Sequence, residues 1–236
     1  MSGRRYSLAH LTMMELAPVD LVLAAASAGY DHVGIRLVPT TDGIDHELHT
    51  SAARRADLAR VLDDTGVSVL DVEVLRLRED GFGDVGPFFD AAVELGARLV
   101  VCTVEDDDRA RRVDTFARFC AVAAGYGVRP ALEYMVFSSV PTLADALDLI
   151  TTADPSAAVL VDTLHHERGG GQPEDVRGLT LAQAPYLQLC DSPVRGRLAD
   201  RTEARTEAVY ARTMPGEGAL PLADLVGAMD LSLIHI

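Results

Sequence analysis

Apolar and polar positions follow two alternating patterns along the whole chain. Short runs rich in Val, Leu and Ala are typical of strands buried on both faces, and longer segments with apolar residues every three or four positions are typical of amphipathic helices. The predicted strands cover residues 6–10, 31–37, 67–77, 97–104, 128–134, 159–161 and 186–190. The predicted helices cover residues 18–29, 51–65, 87–95, 108–126, 142–151, 173–184 and 221–229.

These elements form seven strand–helix units, with no linker and no low-complexity stretch between them. Strands that alternate with helices at this spacing indicate a parallel sheet with right-handed crossovers. The chain ends where an eighth strand is due, so we predict an α/β protein of the (β/α)8 TIM-barrel class, truncated before its eighth strand. The alternative is a doubly wound sheet, which is weakened because no G-x-G-x-x-G motif follows the first strand.

The last six residues, LSLIHI, differ in composition from the rest of the chain, because isoleucine is scarce elsewhere. The same six residues are encoded by a common sequencing-library transposon end. We therefore expect a single domain over residues 1–230 and a non-native tail over residues 231–236. The alternative is a short native tail.

Composition and charge exclude several classes of function. There are 36 acidic and 21 basic residues, and the net charge of −15 repels nucleic-acid backbones and anionic membrane surfaces. The chain has no lysine, which excludes Schiff-base mechanisms and a P-loop. Three cysteines without metal spacing, no secretory signal and no membrane-spanning apolar run predict a cytoplasmic protein with neither a nucleic-acid nor a membrane partner.

The segment VLVDTLHHERGGG, residues 159–171, concentrates polar groups after a buried strand. Asp162 lies where the strand ends, and His165, Arg168 and three glycines follow. Such a grouping is typical of a site in an α/β enzyme. Alternatively, Asp162 is a helix N-cap and the glycines are a flexible connection.

In a barrel the carboxyl ends of the strands meet on one rim, so their polar residues face one another. In strand order these are His10, Arg36, Glu73, Glu105, Glu133, Asp162 and Gln188. Several carboxylates in one concavity repel, so a divalent metal with oxygen ligands is predicted there. For Glu73 and Glu105, pairing with Arg76 and Arg109 is an equal alternative.

Four motifs carry a resemblance to a known family: LEY at Glu133, DTLHHERGG from Asp162, LQLCD from Gln188 and R-T-M-PGEG from Arg212. Their order and spacing resemble the xylose-isomerase-like TIM-barrel superfamily over nearly the whole chain to Asp230. Its members include sugar phosphate isomerases and epimerases, sugar dehydratases and endonuclease IV. The resemblance implies a divalent metal, often Mn²⁺, Mg²⁺, Co²⁺ or Zn²⁺, bound by Glu133, Asp162 and Gln188.

Two positions depart from the family pattern. Gln188 stands where the family usually has a histidine ligand, which favours either Mn²⁺ or Mg²⁺ over Co²⁺ or Zn²⁺, or a site that has lost tight metal binding. The family's fourth ligand would lie on the missing eighth strand. Ser139 stands where ketose 3-epimerases have a second catalytic Glu, so the sequence does not support a two-Glu epimerisation.

The resemblance implies proton abstraction next to a substrate carbonyl, with Glu133 and His165 as catalytic residues. His165 would donate to a substrate oxygen, and Arg168 would hold a carboxylate, phosphate or hydroxyl pair. The substrate-binding set is completed by His10, Arg36, Glu73 and Asp191.

We therefore expect a sugar (phosphate) isomerase or epimerase whose partner is a small-molecule sugar or polyol. A lyase that dehydrates a polyol or keto acid and a non-catalytic sugar-binding homologue are the alternatives. An endonuclease IV-like function is disfavoured by Gln188 and by the net charge. Both a monomer and a homo-oligomer are left open.

Overall fold

The computed structural model describes residues 4–39, 44–198, 200–229 and 233–236. In this part of the chain, eight parallel strands close into one barrel in sequence order. The strands are β1 (Arg5–Leu8), β2 (His32–Arg36), β3 (Ser68–Arg78), β4 (Leu99–Glu105), β5 (Arg129–Glu133), β6 (Ala158–Asp162), β7 (Leu187–Gln188) and β8 (Leu233–His235). The predicted (β/α)8 TIM-barrel fold is confirmed.

Helices lie between the strands and cover the outside of the barrel. They are α1 (Pro18–Ala28), α2 (Ala52–Thr65), α3 (Gly86–Glu94), α4 (Arg109–Gly125), α5 (Leu143–Ala153), α6 (Thr163–Arg168), α7 (Arg201–Tyr210) and α8 (Leu222–Ala228). The helix predicted over 173–184 is reduced to a single 3₁₀ turn, Pro173–Val176, while α6 and α7 were not predicted. In the described residues, no helix combines the length and apolar character needed to cross a membrane.

Local sequence explains where several helices begin and end. The Asp108 side chain accepts a hydrogen bond from the backbone N–H of Arg111 (2.9 Å) and so starts α4. Thr142 does the same for α5 through the N–H of Asp145 (3.2 Å). Gly29 ends α1 in the left-handed conformation (φ 81°), which a residue with a side chain rarely adopts.

The core has two parts, because successive residues of each strand face opposite sides of the barrel wall. Val159 and Val161 of β6 pack outward against the helices in the larger apolar cluster. The inward-facing residues form a smaller cluster, namely Leu99, Val101, Ala131, Ala158, Leu160 and Tyr186. Buried polar residues also lie in the barrel interior, for example Asp71, Glu73 and Asp162.

The structure contains a short eighth strand, whereas the sequence predicted a barrel truncated before that strand. Residues Leu233–His235 pair in parallel with β1 (Ser7↔His235) and with β7 (Gln188↔His235), although this strand is only 3 residues long. Two open strand edges offer unpaired N–H and C=O groups, and an extended apolar segment satisfies them whatever its origin. Residues 231 and 232 of the expected tail lie outside the described residues, and the domain boundary at residue 230 stays a prediction.

Candidate active site

The rim predicted from the strand ends is present. Glu133, Asp162 and Gln188 are the last residues of β5, β6 and β7. The strand register places Asp162 beside Gln188 and Glu133 beside Leu160. Three side chains far apart in sequence therefore come from adjacent strands at one end of the barrel.

Asp162 is both a helix cap and a member of the site, so the two interpretations of this residue are compatible. Its Oδ1 accepts hydrogen bonds from the backbone N–H groups of Leu164 (2.8 Å) and His165 (3.0 Å). This cap begins α6 directly at the strand end and turns His165 back towards Glu133. The His165 Nε2 lies 3.7 Å from the Glu133 Oε1, and ligand atoms of Glu133, Asp162 and His165 all lie within 4.8 Å of one another.

Arg212 joins this group from the segment after α7. Its Nη1 donates to the Asp162 Oδ2 (2.6 Å) and lies 3.0 Å from the Cys190 sulfur. Its Nη2 lies 3.3 Å from the His165 Nε2. Arg212 is the first residue of the R-T-M-PGEG motif, but the sequence alone predicted no role for it.

The contact with Arg212 defines the protonation of His165. A guanidinium group can only donate, so the Nε2 of His165 must accept and its proton lies on Nδ1. Burial also lowers the pKa of His165 to about 4, which agrees with a neutral ring. His165 therefore accepts a hydrogen bond at Nε2, and its expected role as donor to a substrate oxygen stays a prediction.

The two carboxyl groups of the site differ in their affinity for protons. Burial and the neighbouring charge of Asp162 raise the pKa of Glu133 to about 8. Burial acts on Asp162 as well and is the largest single effect, but the charge of Arg212, the nearby His165 and the hydrogen bonds from both residues together lower the pKa of Asp162. One carboxyl group is thus prepared to exchange a proton, while the other stays charged.

A second group of polar residues faces the site across the mouth of the barrel. The Arg36 Nη2 donates to the Glu73 Oε2 (2.9 Å), and both side chains are 11% exposed. His10 accepts from the backbone N–H of Arg36 (3.2 Å) and donates from Nε2 to the carbonyl of Leu16 (3.1 Å). Glu73 is paired with Arg36, and both His10 nitrogens are used within the protein.

Glu105 and the arginines proposed as its partners lie outside this group. Glu105 pairs with Arg78 (3.1 Å) and Arg76 (3.3 Å). Arg109 pairs instead with Asp148 on the surface (2.7 Å). Glu105 therefore forms ion pairs with arginines, as the alternative to metal binding predicted, but one of its partners is Arg78 and not Arg109.

Arg168 does not face the cavity in which the other predicted residues meet. It is 2% exposed, and its Nε and Nη2 bind the two oxygens of Glu207 on α7 (2.7 and 2.6 Å). It also donates to Ser192 and to the carbonyls of Val194 and Gly196. The expected substrate-binding role is replaced by a structural one, because Arg168 ties α6 to the segment that covers it.

Asp191, which was also predicted to bind the substrate, has both carboxylate oxygens hydrogen-bonded to the backbone. Its carboxylate accepts four backbone N–H groups, from Ser192, Gly216, Gly218 and Leu220, at 2.8–3.0 Å. A Cβ at Gly218 would lie 2.3 Å from the Asp191 Oδ1, which explains the second glycine of the PGEG motif. Because Asp191 also forms a bridge with Thr213, it fixes the loop that carries Arg212.

The three glycines after Arg168 do not form a phosphate cradle. The backbone N–H groups of Gly169, Gly170 and Gly171 donate to carbonyls of α6. His166 points away from the cavity, where it hydrogen-bonds to the Tyr134 hydroxyl (2.9 Å). Together with Tyr134 and His166, the loop lines a pocket that contains none of Glu133, Asp162 and His165.

The donor set at Glu133, Asp162, His165 and the neighbouring Gln188 fits a divalent cation. It consists of carboxylate and amide oxygens and an imidazole, which such ions accept. A second group, Asp71, Glu73 and His235, also has ligand atoms within 4.8 Å of one another. His235 belongs to residues 231–236, which we expect to be non-native, so the first group is the candidate metal site.

Comparisons with known proteins agree with this fold. The family model described as xylose isomerase-like TIM barrel matches residues 22–232. No curated protein matches the chain in sequence. Among solved structures, a xylose isomerase-like TIM barrel/4-hydroxyphenylpyruvate dioxygenase fusion protein is similar with a TM-score of 0.79 and 22% identity. The match covers 99% of this chain and 39% of the fusion protein, so the chain spans well under half of that protein.

Three further solved structures are closer in length to this chain than the fusion protein is. An IolI protein with a bound zinc atom has a TM-score of 0.75 and 19% identity, and the match covers 98% of this chain and 88% of that one. The probable 3-DHS dehydratase AsbF from Bacillus anthracis has a TM-score of 0.76 and 13% identity, with 98% and 92% covered. A D-allulose 3-epimerase from Methylomonas sp., in complex with D-allulose, has a TM-score of 0.69 and 14% identity, with 100% and 84% covered. Likenesses at these identities show the fold.

Proposed function

Since the chain belongs to the xylose isomerase-like TIM-barrel family, we propose that it is a metal-dependent isomerase or epimerase of a sugar or sugar phosphate. The reaction would move a proton next to a carbonyl group. The observation that carries this proposal is the convergence of Glu133, Asp162 and His165, whose ligand atoms lie within 4.8 Å. The sugar complex of the D-allulose 3-epimerase supports a sugar as the substrate class.

Glu133 is the residue that would take and return the proton. Its side chain is 13% exposed, so it can reach a ligand in the barrel mouth, while Asp162 is fully buried. Asp162 holds α6 and Arg212 in place, and His165 lies beside Glu133. These neighbours would fix the orientation of the Glu133 carboxyl group relative to the substrate.

The metal would be held by Glu133, Asp162 and Gln188, as the family resemblance implies. A divalent ion at these residues would supply Lewis-acid polarisation of a substrate oxygen. The zinc-bound IolI protein supports metal binding in this fold. Oxygen donors, including the amide of Gln188, favour Mn²⁺ or Mg²⁺ in this chain.

Arg36 is the proposed contact for a phosphate or hydroxyl pair of the substrate. One of its terminal nitrogens binds Glu73, and its Nε has no hydrogen-bond partner among the described residues. This nitrogen is buried, and a ligand that reached it would supply the acceptor that it lacks. A cytoplasmic location is part of the proposal, supported by three buried cysteines that all remain free.

A lyase is the second candidate, because dehydration of a polyol or keto acid begins with the same proton removal. The similarity to the probable 3-DHS dehydratase AsbF favours keeping this reaction in the test. The two reactions differ only in whether the enolate regains a proton or expels a hydroxyl group.

The test is a substrate panel in D₂O with Mn²⁺ or Mg²⁺, followed by NMR. The panel contains ketoses, aldoses, their phosphates and cyclic keto acids. An isomerase or epimerase exchanges the carbon-bound proton and yields an isomer, whereas a lyase yields a dehydrated product. We expect Glu133→Gln to lower turnover by about 10²–10⁴-fold, the usual contribution of a positioned acid–base group.

Asp148→Asn is the matched control, since it neutralises one exposed carboxylate on α5 that pairs with Arg109. It should leave turnover unchanged. Tight sugar binding without exchange or product in the metal-loaded protein would contradict the enzymatic proposal and leave the sugar-binding homologue.

A further inference from the structure

Arg212 occupies the position next to Asp162 that a metal ion would need. Its Nη1 donates to the Asp162 Oδ2 at 2.6 Å, which is a short charge-assisted bond. Its Nε donates to the carbonyl of Ala208 on α7 (2.6 Å), so the guanidinium is anchored at its other side. The Arg212 side chain is 16% exposed, so it borders the open mouth of the barrel.

The second oxygen of Asp162 is also in use. Oδ1 accepts the N–H groups of Leu164 and His165 that begin α6, and the side chain of Asp162 is 0% exposed. A metal that binds Asp162 without breaking the helix cap therefore has Oδ2 as its ligand atom. That atom is the one that Arg212 holds.

The same competition applies to His165. Its Nε2 is the atom nearest to the Glu133 Oε1, and Arg212 lies 3.3 Å from it. The guanidinium thus lies among the atoms on which a cation would be centred. A guanidinium and a divalent ion cannot share them, because both are positive and both need the same lone pairs.

We propose that Arg212 is a resident counter-ion of the metal site, and that metal binding displaces its guanidinium from Asp162. This inference rests on the proposed metal site. Arg212 keeps the buried Asp162 paired while no metal is bound, and the divalent ion takes over that role when it binds. The arginine therefore weakens metal affinity and stabilises the metal-free protein.

The test compares Mn²⁺ binding by wild type, Arg212→Gln and Arg205→Gln, measured by titration calorimetry. Arg205 is an exposed arginine of α7, so its substitution removes the same charge from the surface without touching Asp162 or His165. We expect Arg212→Gln to bind Mn²⁺ about tenfold or more tightly, since an adjacent arginine biases a carboxylate by roughly 1–3 pKa units. Arg205→Gln should bind like wild type.

Thermal unfolding gives a second measurement that does not depend on activity. In EDTA, Arg212→Gln should melt below wild type, because Asp162 has lost its counter-ion. Saturating Mn²⁺ should close that gap. If Arg212→Gln does not stay folded in EDTA, Arg212→Lys serves instead, since an ammonium group keeps the charge but not the fork that reaches Asp162 and His165 together.

The displacement itself can be observed by modification with phenylglyoxal, located by mass spectrometry. Mn²⁺ should increase the modification of Arg212 in wild type and leave that of Arg205 unchanged. Equal or weaker Mn²⁺ binding by Arg212→Gln, in a wild type that does bind, would overturn this inference while sparing the metal site. If neither protein binds Mn²⁺, the proposed metal site fails together with the inference.

Discussion

Replacing Arg168 with Met separates the structural role of this residue from the substrate-binding role that its position after Asp162 suggests. Arg168 makes five hydrogen bonds within the protein, two of them to the carboxylate of Glu207. The side chains of Arg168 and Glu207 are 1% and 11% exposed, so solvent screens the pair only slightly. Met fills a similar volume but leaves the Glu207 carboxylate buried without its partner.

The expected cost follows from that burial. Removing one partner of a buried ion pair costs about 3–5 kcal/mol, because the remaining charge is desolvated and unpaired. In a protein of this size, each kcal/mol shifts the melting temperature by roughly 2–4 °C, so the expected drop is roughly 6–20 °C. The double variant Arg168→Met/Glu207→Leu should recover most of the loss, since no charge is left unpaired.

Thermal unfolding followed by far-UV circular dichroism measures the change in melting temperature, and urea unfolding measures the change in free energy. Arg109→Met is the control, because its pair with Asp148 is exposed on both sides, and no measurable shift is expected. The reasoning is refuted if Arg168→Met keeps wild-type stability but loses ligand binding. That result would return Arg168 to the substrate-binding set.

Three further predictions concern the loop, the barrel interior and the metal. Gly218→Ala should destabilise the protein by about 2 kcal/mol or more in urea unfolding, because its Cβ would lie 2.3 Å from the Asp191 carboxylate; an unchanged midpoint would contradict this. Burial raises the pKa of Asp71 to about 8, above its unfolded value, so the stability from its protonated form is lost as pH rises towards 8. Asp71→Asn keeps an acceptor for the Tyr186 hydroxyl but has no group that titrates. Between pH 5 and 8 its free energy of unfolding should therefore rise relative to that of wild type, by at most about 1.4 kcal/mol per pH unit. Parallel curves of stability against pH would contradict this prediction. Mn²⁺ at about 100 times its Kd should stabilise wild type by about 2.7 kcal/mol in thermal unfolding. It should not stabilise Asp162→Asn. Equal stabilisation of both proteins would place the metal elsewhere.

The sequence predicts best those features that depend on one strand at a time. Glu133 and Asp162 each follow a buried apolar run, and parallel strands bring their ends to one rim. That reasoning needs no knowledge of the partners of either side chain. It therefore located the two carboxyl groups and the barrel that holds them.

Roles that depend on polar pairing over long distances in sequence were not predictable in the same way. Arg168 finds Glu207 39 residues later, and Asp162 finds Arg212 50 residues later. Asp191 is occupied by backbone groups 25 to 29 residues away in addition to its neighbour. Periodicity carries no information about such pairs, so Arg168 and Asp191, which follow strand ends, were assigned to the substrate.

Short or weakly amphipathic helices were missed for a different reason. α6 has 6 residues, too few for a periodic pattern to emerge. α7 buries only Ala204 and Ala208, and its other residues are charged, polar or exposed, so its apolar face is too small to stand out. Yet α7 carries Glu207 and ends just before Arg212, and both residues organise the site.

The distribution of arginine distinguishes Glu133 from the other carboxyl groups near the carboxyl-terminal rim. Glu73, Asp162 and Glu207 each have an arginine within 2.9 Å, and an arginine does not give up its charge. These three carboxylates are therefore fixed as anions. Among the described residues, Glu133 has no arginine within ion-pair distance, and the His165 ring that lies 3.7 Å from it is neutral. Glu133 is thus free either to bind a proton or to bind a cation, which are the two properties that the proposed reaction requires of it.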